Sequence, residues 1–173
     1  MTELVARKLT KEAFAPFGEV IETDGSQNFR INDGRCVRHH ALATAEVAGP
    51  GACVIVSIFS GEPYPLPHVV TMVERHPLGS QAFYPLGTDP WLVVVCEDED
   101  ARPVRPRAFL ASARQGINIA RNVWHGVLTP LYNPADFLVV DRGGDGENLE
   151  TYTFDEADRL RVTVSDPTAP RGG

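Results

Sequence analysis

The chain has 173 residues, 43% of them hydrophobic, and a formal charge of −7. That is enough apolar material for one buried core, and the negative balance excludes a broad phosphate-binding face for nucleic acid or an anionic membrane. No apolar run approaches the roughly 18 residues needed to cross a bilayer, and Lys8, Lys11 and Glu12 interrupt the place where a signal-peptide core would lie, so a soluble cytoplasmic protein with a small-molecule partner is expected.

Fifteen glycines and fourteen prolines are spread along the length, which argues for many short elements joined by turns. The reading is all-β, with one domain over residues 1–165 and a flexible tail, 166–173, marked by Pro167, Pro170, Gly172 and Gly173. In chain order, Leu9–Pro16 predicts a short helix, with Thr10 as its N-cap and Pro16 closing it. Phe17–Glu22 reads as a strand. Asn32-Asp33-Gly34 predicts a tight hairpin between Phe29–Ile31 and Arg35–Arg38, because these residues tolerate positive φ. Gly51–Phe59 is almost continuously apolar and predicts a central strand covered on both faces. Strands follow over Val69–His76, Gln81–Pro85, Trp91–Cys96, Ala108–Leu110, Gly116–Ala120, Val123–Leu128 and Phe137–Asp141, a spacing that suggests a barrel or sandwich.

Cys36, Cys53 and Cys96 are odd in number and without a Cys-x-x-Cys pair, so buried, inert thiols are expected. The run Glu97–Asp100 lacks the glycine and distal glutamate of a calcium loop and reads as a solvated turn.

The polar chemistry concentrates in two stretches, Glu74–Phe83 and Gly116–His125. Alternate side chains of a strand share a face, so Glu74 and His76 travel together while Arg75 points the other way, toward an ion pair. A hairpin through Pro77–Ser80 would bring Gln81 near His76. A pair two residues apart followed by an oxygen side chain resembles the first cupin motif, with Glu74 and His76 at its histidine positions and Gln81 at its glutamate position. Asn122-Val123-Trp124-His125 resembles the cupin Gly-x-x-His, with Asn122 in place of glycine. Glu74, His76, Gln81 and His125 would form a mixed oxygen and imidazole set suited to labile Ni²⁺, Mn²⁺, Fe²⁺ or Zn²⁺. His39, His40 and His68 are expected at a surface or interface, and Trp124 and Tyr84 in packing.

Glu74–Phe83, Gly116, Arg121–His125 and Asp136–Gly144, with Thr10–Glu22 and Arg30–Gly34, together resemble the ureidoglycolate lyase family. The resemblance implies a cupin-like β-barrel or jelly roll, a homodimer, and cleavage of (S)-ureidoglycolate to glyoxylate and urea in allantoin and purine-nitrogen degradation, with stimulation by a divalent metal such as nickel. Many members carry an aromatic residue and a histidine where this chain has Ile119 and Ala120, so that imidazole is missing here. Within this reading His125, Glu74 and His76 are the proton-transfer candidates, and Arg121 and Gln81 are the substrate-binding candidates, a guanidinium suiting the substrate carboxylate. The readings left beside it are another metal-dependent cupin enzyme on a small ureide or hydroxy acid, and a non-catalytic small-molecule-binding cupin.

Overall fold

The structure, a computed structural model, describes residues 1–165; the tail 166–173 lies outside the described residues. In chain order it runs β1 (Thr2–Lys8), α1 (Lys11–Phe14), β2 (Gly18–Ile21), β3 (Asn28–Ile31), β4 (Cys36–His39), β5 (Cys53–Gly61), β6 (His68–Val70), β7 (Met72–Arg75) and β8 (Gln81–Pro85). It continues with β9 (Trp91–Glu99), β10 (Arg102–Ala111), β11 (Gly116–Ile119), β12 (Trp124–His125), β13 (Thr129–Pro130), β14 (Ala135–Gly143), β15 (Glu150–Thr153) and β16 (Leu160–Val164).

The expected all-β fold with one short N-terminal helix forms from two facing sheets, the larger of them curled. The larger has the order β15-β7-β12-β9-β10-β1-β16-β6, with β13 also on β9; the smaller has the order β2-β11-β8-β14-β5. Between them lies a core to which both contribute: Val93, Val95 and Phe109 from the larger sheet, Phe83, Ile117 and Val139 from the smaller, with Phe14 and Phe17 filling one end. The larger sheet curls far enough to bury its other face as well, on Val73, Leu92, Val94, Trp124 and Val162. Its middle strand, β9, is consequently buried on both sides from Trp91 to Cys96.

Local chemistry accounts for the elements that were legible. Thr10 accepts a hydrogen bond from the Ala13 amide at 3.2 Å and starts the single turn of α1. Asn32, Asp33 and Gly34 all take positive φ, and β3 pairs with β4 around them. Asn122 also adopts positive φ, at 65°, as expected of a residue standing in for glycine.

Several expectations are corrected. β5 is not central but the edge of the smaller sheet, with Val54, Ile55, Val56, Ile58 and Phe59 exposed. The stretch Val69–His76 is two strands, β6 at one end of the larger sheet's order and β7 next to the other end. β8 does not form a hairpin with β7; it pairs with β11 and β14 in the other sheet. Strands β1, β15 and β16 were not expected; β1 runs parallel to both β10 and β16, a long-range pairing that no local pattern announces. Only Cys96 is buried, and its thiol is pushed up to about 12 by desolvation; Cys36 and Cys53 are exposed. The acidic run is solvated as expected, but Glu97–Glu99 form the end of β9 and only Asp100 enters the turn; Glu97 pairs with Arg105 and Arg107, and Asp98 with Arg75.

Gly116 opens β11 so close to β8 that a Cβ there would stand 2.5 Å from the Phe83 carbonyl oxygen and 2.7 Å from the Tyr84 ring. Backbone cannot yield as a flexible side chain can. Gly116→Ala is expected to destabilise the fold by about 2 kcal/mol, read from the denaturant midpoint; an unchanged midpoint would show that β11 and β8 separate freely.

Candidate active site

Glu74 and His125 are direct cross-strand partners between β7 and β12, and His125 in turn stands opposite Val95 of β9. Since Val95 belongs to the core between the sheets, this register aims both side chains into the barrel. His76 follows β7 on the same side, its ring 5.3 Å from that of His125. One carboxylate oxygen and one ring nitrogen from each histidine all lie within 4.8 Å of one another. The alternation that brings Glu74 and His76 inward sends Arg75 outward, where it lies over the Trp124 ring and pairs with Asp98 and Glu150. The expectation of an ion pair for Arg75, and of packing for Trp124, is met.

The ring nitrogens have defined roles. His76 Nδ1 lies 2.7 Å from the Asn148 carbonyl oxygen, and His125 Nδ1 lies 3.0 Å from that of Gly126. A carbonyl can only accept, so each Nδ1 carries a proton, and in the neutral tautomer Nε2 is the bare nitrogen. Both Nε2 atoms are buried with no hydrogen-bond partner. His125 is only 2% exposed, and desolvation drives its pKa down to about 4, which keeps it neutral around pH 7.

Gln81 reaches the same space from the smaller sheet: with Glu74, Phe59 and Phe83 it lines a cavity of about 540 Å³. Beside it on β14 stands Asp141, which the sequence reading placed in a family motif without assigning it to the site; Gln81 Nε2 donates to Asp141 Oδ2 at 3.4 Å. The signal that could have found Asp141 is an acid that directly follows the apolar run Phe137–Val140 in the same alternation phase as the buried Phe137 and Val139. Arg121 is exposed, does not line this cavity, and donates through Nε and Nη2 to the Pro77 carbonyl, at 3.2 and 2.9 Å, which braces the turn behind His76. Asn122 supports the same turn through its amide, bonded to the His76 carbonyl at 3.0 Å.

The other histidines stand apart from this cluster. His39 bonds the Ser26 hydroxyl, His40 packs edge-on to Phe29, and His68 is not at a surface but buried against Tyr64, where desolvation lowers its pKa. A larger groove, about 1190 Å³, runs along β1 and β10 but brings no histidine to its walls.

A carboxylate and two bare imidazole nitrogens inside a curled β-barrel define a protein built to hold something small and polar, a proton donor or a cation, between two sheets. The comparisons give the particular family: the chain belongs to the ureidoglycolate lyase family, whose model matches residues 1–162. A ureidoglycolate lyase of Mesorhizobium japonicum is 58% identical over 94% of this chain and 99% of that protein, and one of Chelativorans sp. is 57% identical over 90% and 94%. One of Agrobacterium fabrum is 57% identical over 88% and 92%. Among solved structures, a dTDP sugar isomerase of Desulfovibrio desulfuricans G20 aligns at 15% identity over 78% of this chain and 88% of that one, with a TM-score of 0.46. The protein is accordingly an enzyme of a lyase family. No helix among the described residues is long and apolar enough to cross a membrane.

The buried imidazole has a consequence for stability. An unfolded histidine titrates near 6.5, whereas folded His125 titrates near 4, so between these values the unfolded chain holds a proton that the folded one does not. The metal-free protein is expected to lose up to about 3 kcal/mol from His125 as pH falls through that window, with a same-sign loss from His68. His125→Gln should flatten the slope of unfolding free energy against pH; an unaltered slope would mean that His125 is not buried neutral.

Proposed function

We propose that the enzyme cleaves (S)-ureidoglycolate to glyoxylate and urea, a step in the recovery of nitrogen from purines by way of allantoin. The observation that carries the reading is the pair of bare, buried Nε2 atoms facing Glu74. Ureidoglycolate bears a hydroxyl, a carboxylate and a urea nitrogen on one carbon. Its cleavage breaks that carbon–nitrogen bond, turns the C–OH into C=O, and moves the hydroxyl proton to the departing nitrogen. No water or redox partner is consumed. A base that can take one proton and return it is enough, and His125, neutral and oriented by Gly126, is that base in this reading. His76, held by Asn148, relays or returns the proton to nitrogen, and Glu74 carries the balancing negative charge. Positioned proton transfer of this kind contributes on the order of 10²–10⁴-fold in rate.

The same three groups fit a divalent cation. Two lone-pair nitrogens and a carboxylate oxygen, none with a donor pointed at it, are the donor set that Ni²⁺, Mn²⁺, Fe²⁺ or Zn²⁺ accepts, and each Nδ1–H to carbonyl bond is the outer support such ligands use. A cation bound to Glu74, His76 and His125 would take the lone pairs used for proton transfer in its absence, and would instead polarise the substrate oxygens as a Lewis acid. Gln81 faces the three from the opposite sheet and is assigned to the substrate in this proposal. Arg121 keeps Nη1 outside its bonds to Pro77, and that nitrogen is assigned to the substrate carboxylate.

The family's homodimer and cytoplasmic setting belong to the same proposal. The dimer is supported by β5, an uncovered edge strand with Val54, Val56 and Ile58 turned outward at 49%, 65% and 54% exposure, and by Phe29, Ile31 and Val37 exposed on the β3–β4 hairpin.

His125→Ala is expected to lower glyoxylate release from ureidoglycolate by at least about 10²-fold with the melting temperature retained; normal release would remove His125 from the reaction. Following urea and ammonia together decides the reaction type, since urea supports the lyase and ammonia with carbon dioxide would overturn it in favour of hydrolysis. Dialysis against a chelator, with metal content measured before and after in wild type and Glu74→Gln, tests the cation; equal metal content in both proteins would take Glu74 out of the ligand set. For the assembly, Val56→Lys is expected to shift the mass measured by light scattering from two chains to one, and a single chain in the wild type would refute the dimer.

A further inference from the structure

Gln81 and Asp141 are the polar pair on the smaller sheet's inward face, next to Phe83 and Val139, which are registered partners in the core. The carboxylate fixes the amide. Were Oε1 turned toward Asp141, two acceptors would oppose one another, so Nε2 faces Asp141 and Oε1 faces away from it. Two oxygens are left over, Gln81 Oε1 and Asp141 Oδ1, both buried without a partner. Gln81 is 7% exposed and lines the cavity shared with Glu74. A buried acceptor with no donor is costly to stability, and a ligand bringing N–H groups would recover that cost.

Acceptors thus come from both sheets: Glu74 and Gln81 line the cavity, with the two imidazole nitrogens clustered beside Glu74 and Asp141 bonded to Gln81. The set around Glu74 is occupied by the hydroxyl and the breaking bond in the proposed reaction. The set around Gln81 meets whatever end of the substrate still carries donors, and in a ureide that end is the terminal carbamoyl group, whose nitrogen bears two hydrogens.

We propose that Asp141 Oδ1 and Gln81 Oε1 form the subsite that reads the carbamoyl N–H donors, which makes Asp141 a specificity-determining residue for ureides over acyl amides of the same shape. The assignment rests on the ureidoglycolate reading above. Asp141 acts twice, as an acceptor for the ligand and as the group that sets the Gln81 amide.

The test uses compounds that cannot be cleaved because they lack the hydroxyl. N-carbamoylglycine keeps the terminal NH₂, and N-acetylglycine replaces it with a methyl group. By titration calorimetry the wild type is expected to bind the first about 10–100-fold more tightly than the second. Asp141→Asn and Gln81→Leu should each bring that ratio toward one while leaving N-acetylglycine affinity unchanged. With ureidoglycolate, Asp141→Asn should raise KM more than it lowers kcat. A pair that merely packs would shift the melting temperature and leave the ratio intact. The proposal is overturned by equal affinities in the wild type, or by a preference that survives in both variants; if one variant does not fold, the other carries the comparison. Discrimination without glyoxylate release would sink the proposed reaction and leave the subsite standing, whereas release without discrimination would sink the subsite alone.

Discussion

Two hydrogen bonds to main-chain carbonyls govern the chemistry of this barrel. By accepting from His76 Nδ1 and His125 Nδ1, the oxygens of Asn148 and Gly126 settle where each imidazole keeps its proton. Everything the cavity offers a ligand follows from that choice. The opposite tautomers would turn N–H groups toward Glu74 and close the site on itself with internal hydrogen bonds. Because the partners are backbone atoms, the arrangement is held by the fold rather than by side chains that could rotate away.

The rest of the architecture keeps those nitrogens dry and unmatched. Val95 and Trp124 back the strand that carries His125, and the aromatic core of Phe14, Phe17 and Phe109 fills the space between the sheets. Desolvation holds His125 neutral at physiological pH, when a solvated histidine would be partly charged. Leaving several buried acceptors without donors costs stability, and such a cost is characteristic of sites that await a ligand. The outer face of the same strands is arranged in the opposite way, with Arg75 satisfied by Asp98, Glu150 and the Trp124 ring at once. Along β7 a one-residue step separates the ion-paired Arg75 from Glu74, which has a His76 nitrogen 3.9 Å away.

Much of this was legible in the sequence, and the failures share a cause. Strand alternation alone separated Glu74 and His76 from Arg75, and turn chemistry alone placed Asn32-Asp33-Gly34 and Asn122. What failed were judgements about partners far along the chain. Gly51–Phe59 and Trp91–Cys96 carry the same apolar, β-branched pattern, yet one is an open edge and the other the middle of a sheet. The pattern reports that a strand wants both faces covered and not what covers them. Gln81 was brought to His76 by a hairpin that does not exist; it reaches the cavity from the second sheet, so its inward face was read correctly and its neighbour strand was not. Asp141 escaped notice because its meaning depends on Gln81, sixty positions earlier.

The carbonyl that orients His76 belongs to Asn148, whose side chain also receives the Leu78 amide. A residue about seventy positions further along thereby clamps both sides of the turn that follows β7. During synthesis, a nascent chain that has delivered Glu74, His76 and His125 still lacks the piece that gives His76 its working orientation. Truncation before Asn148 would therefore remove the carbonyl that orients His76 while leaving Glu74, His76 and His125 in the chain.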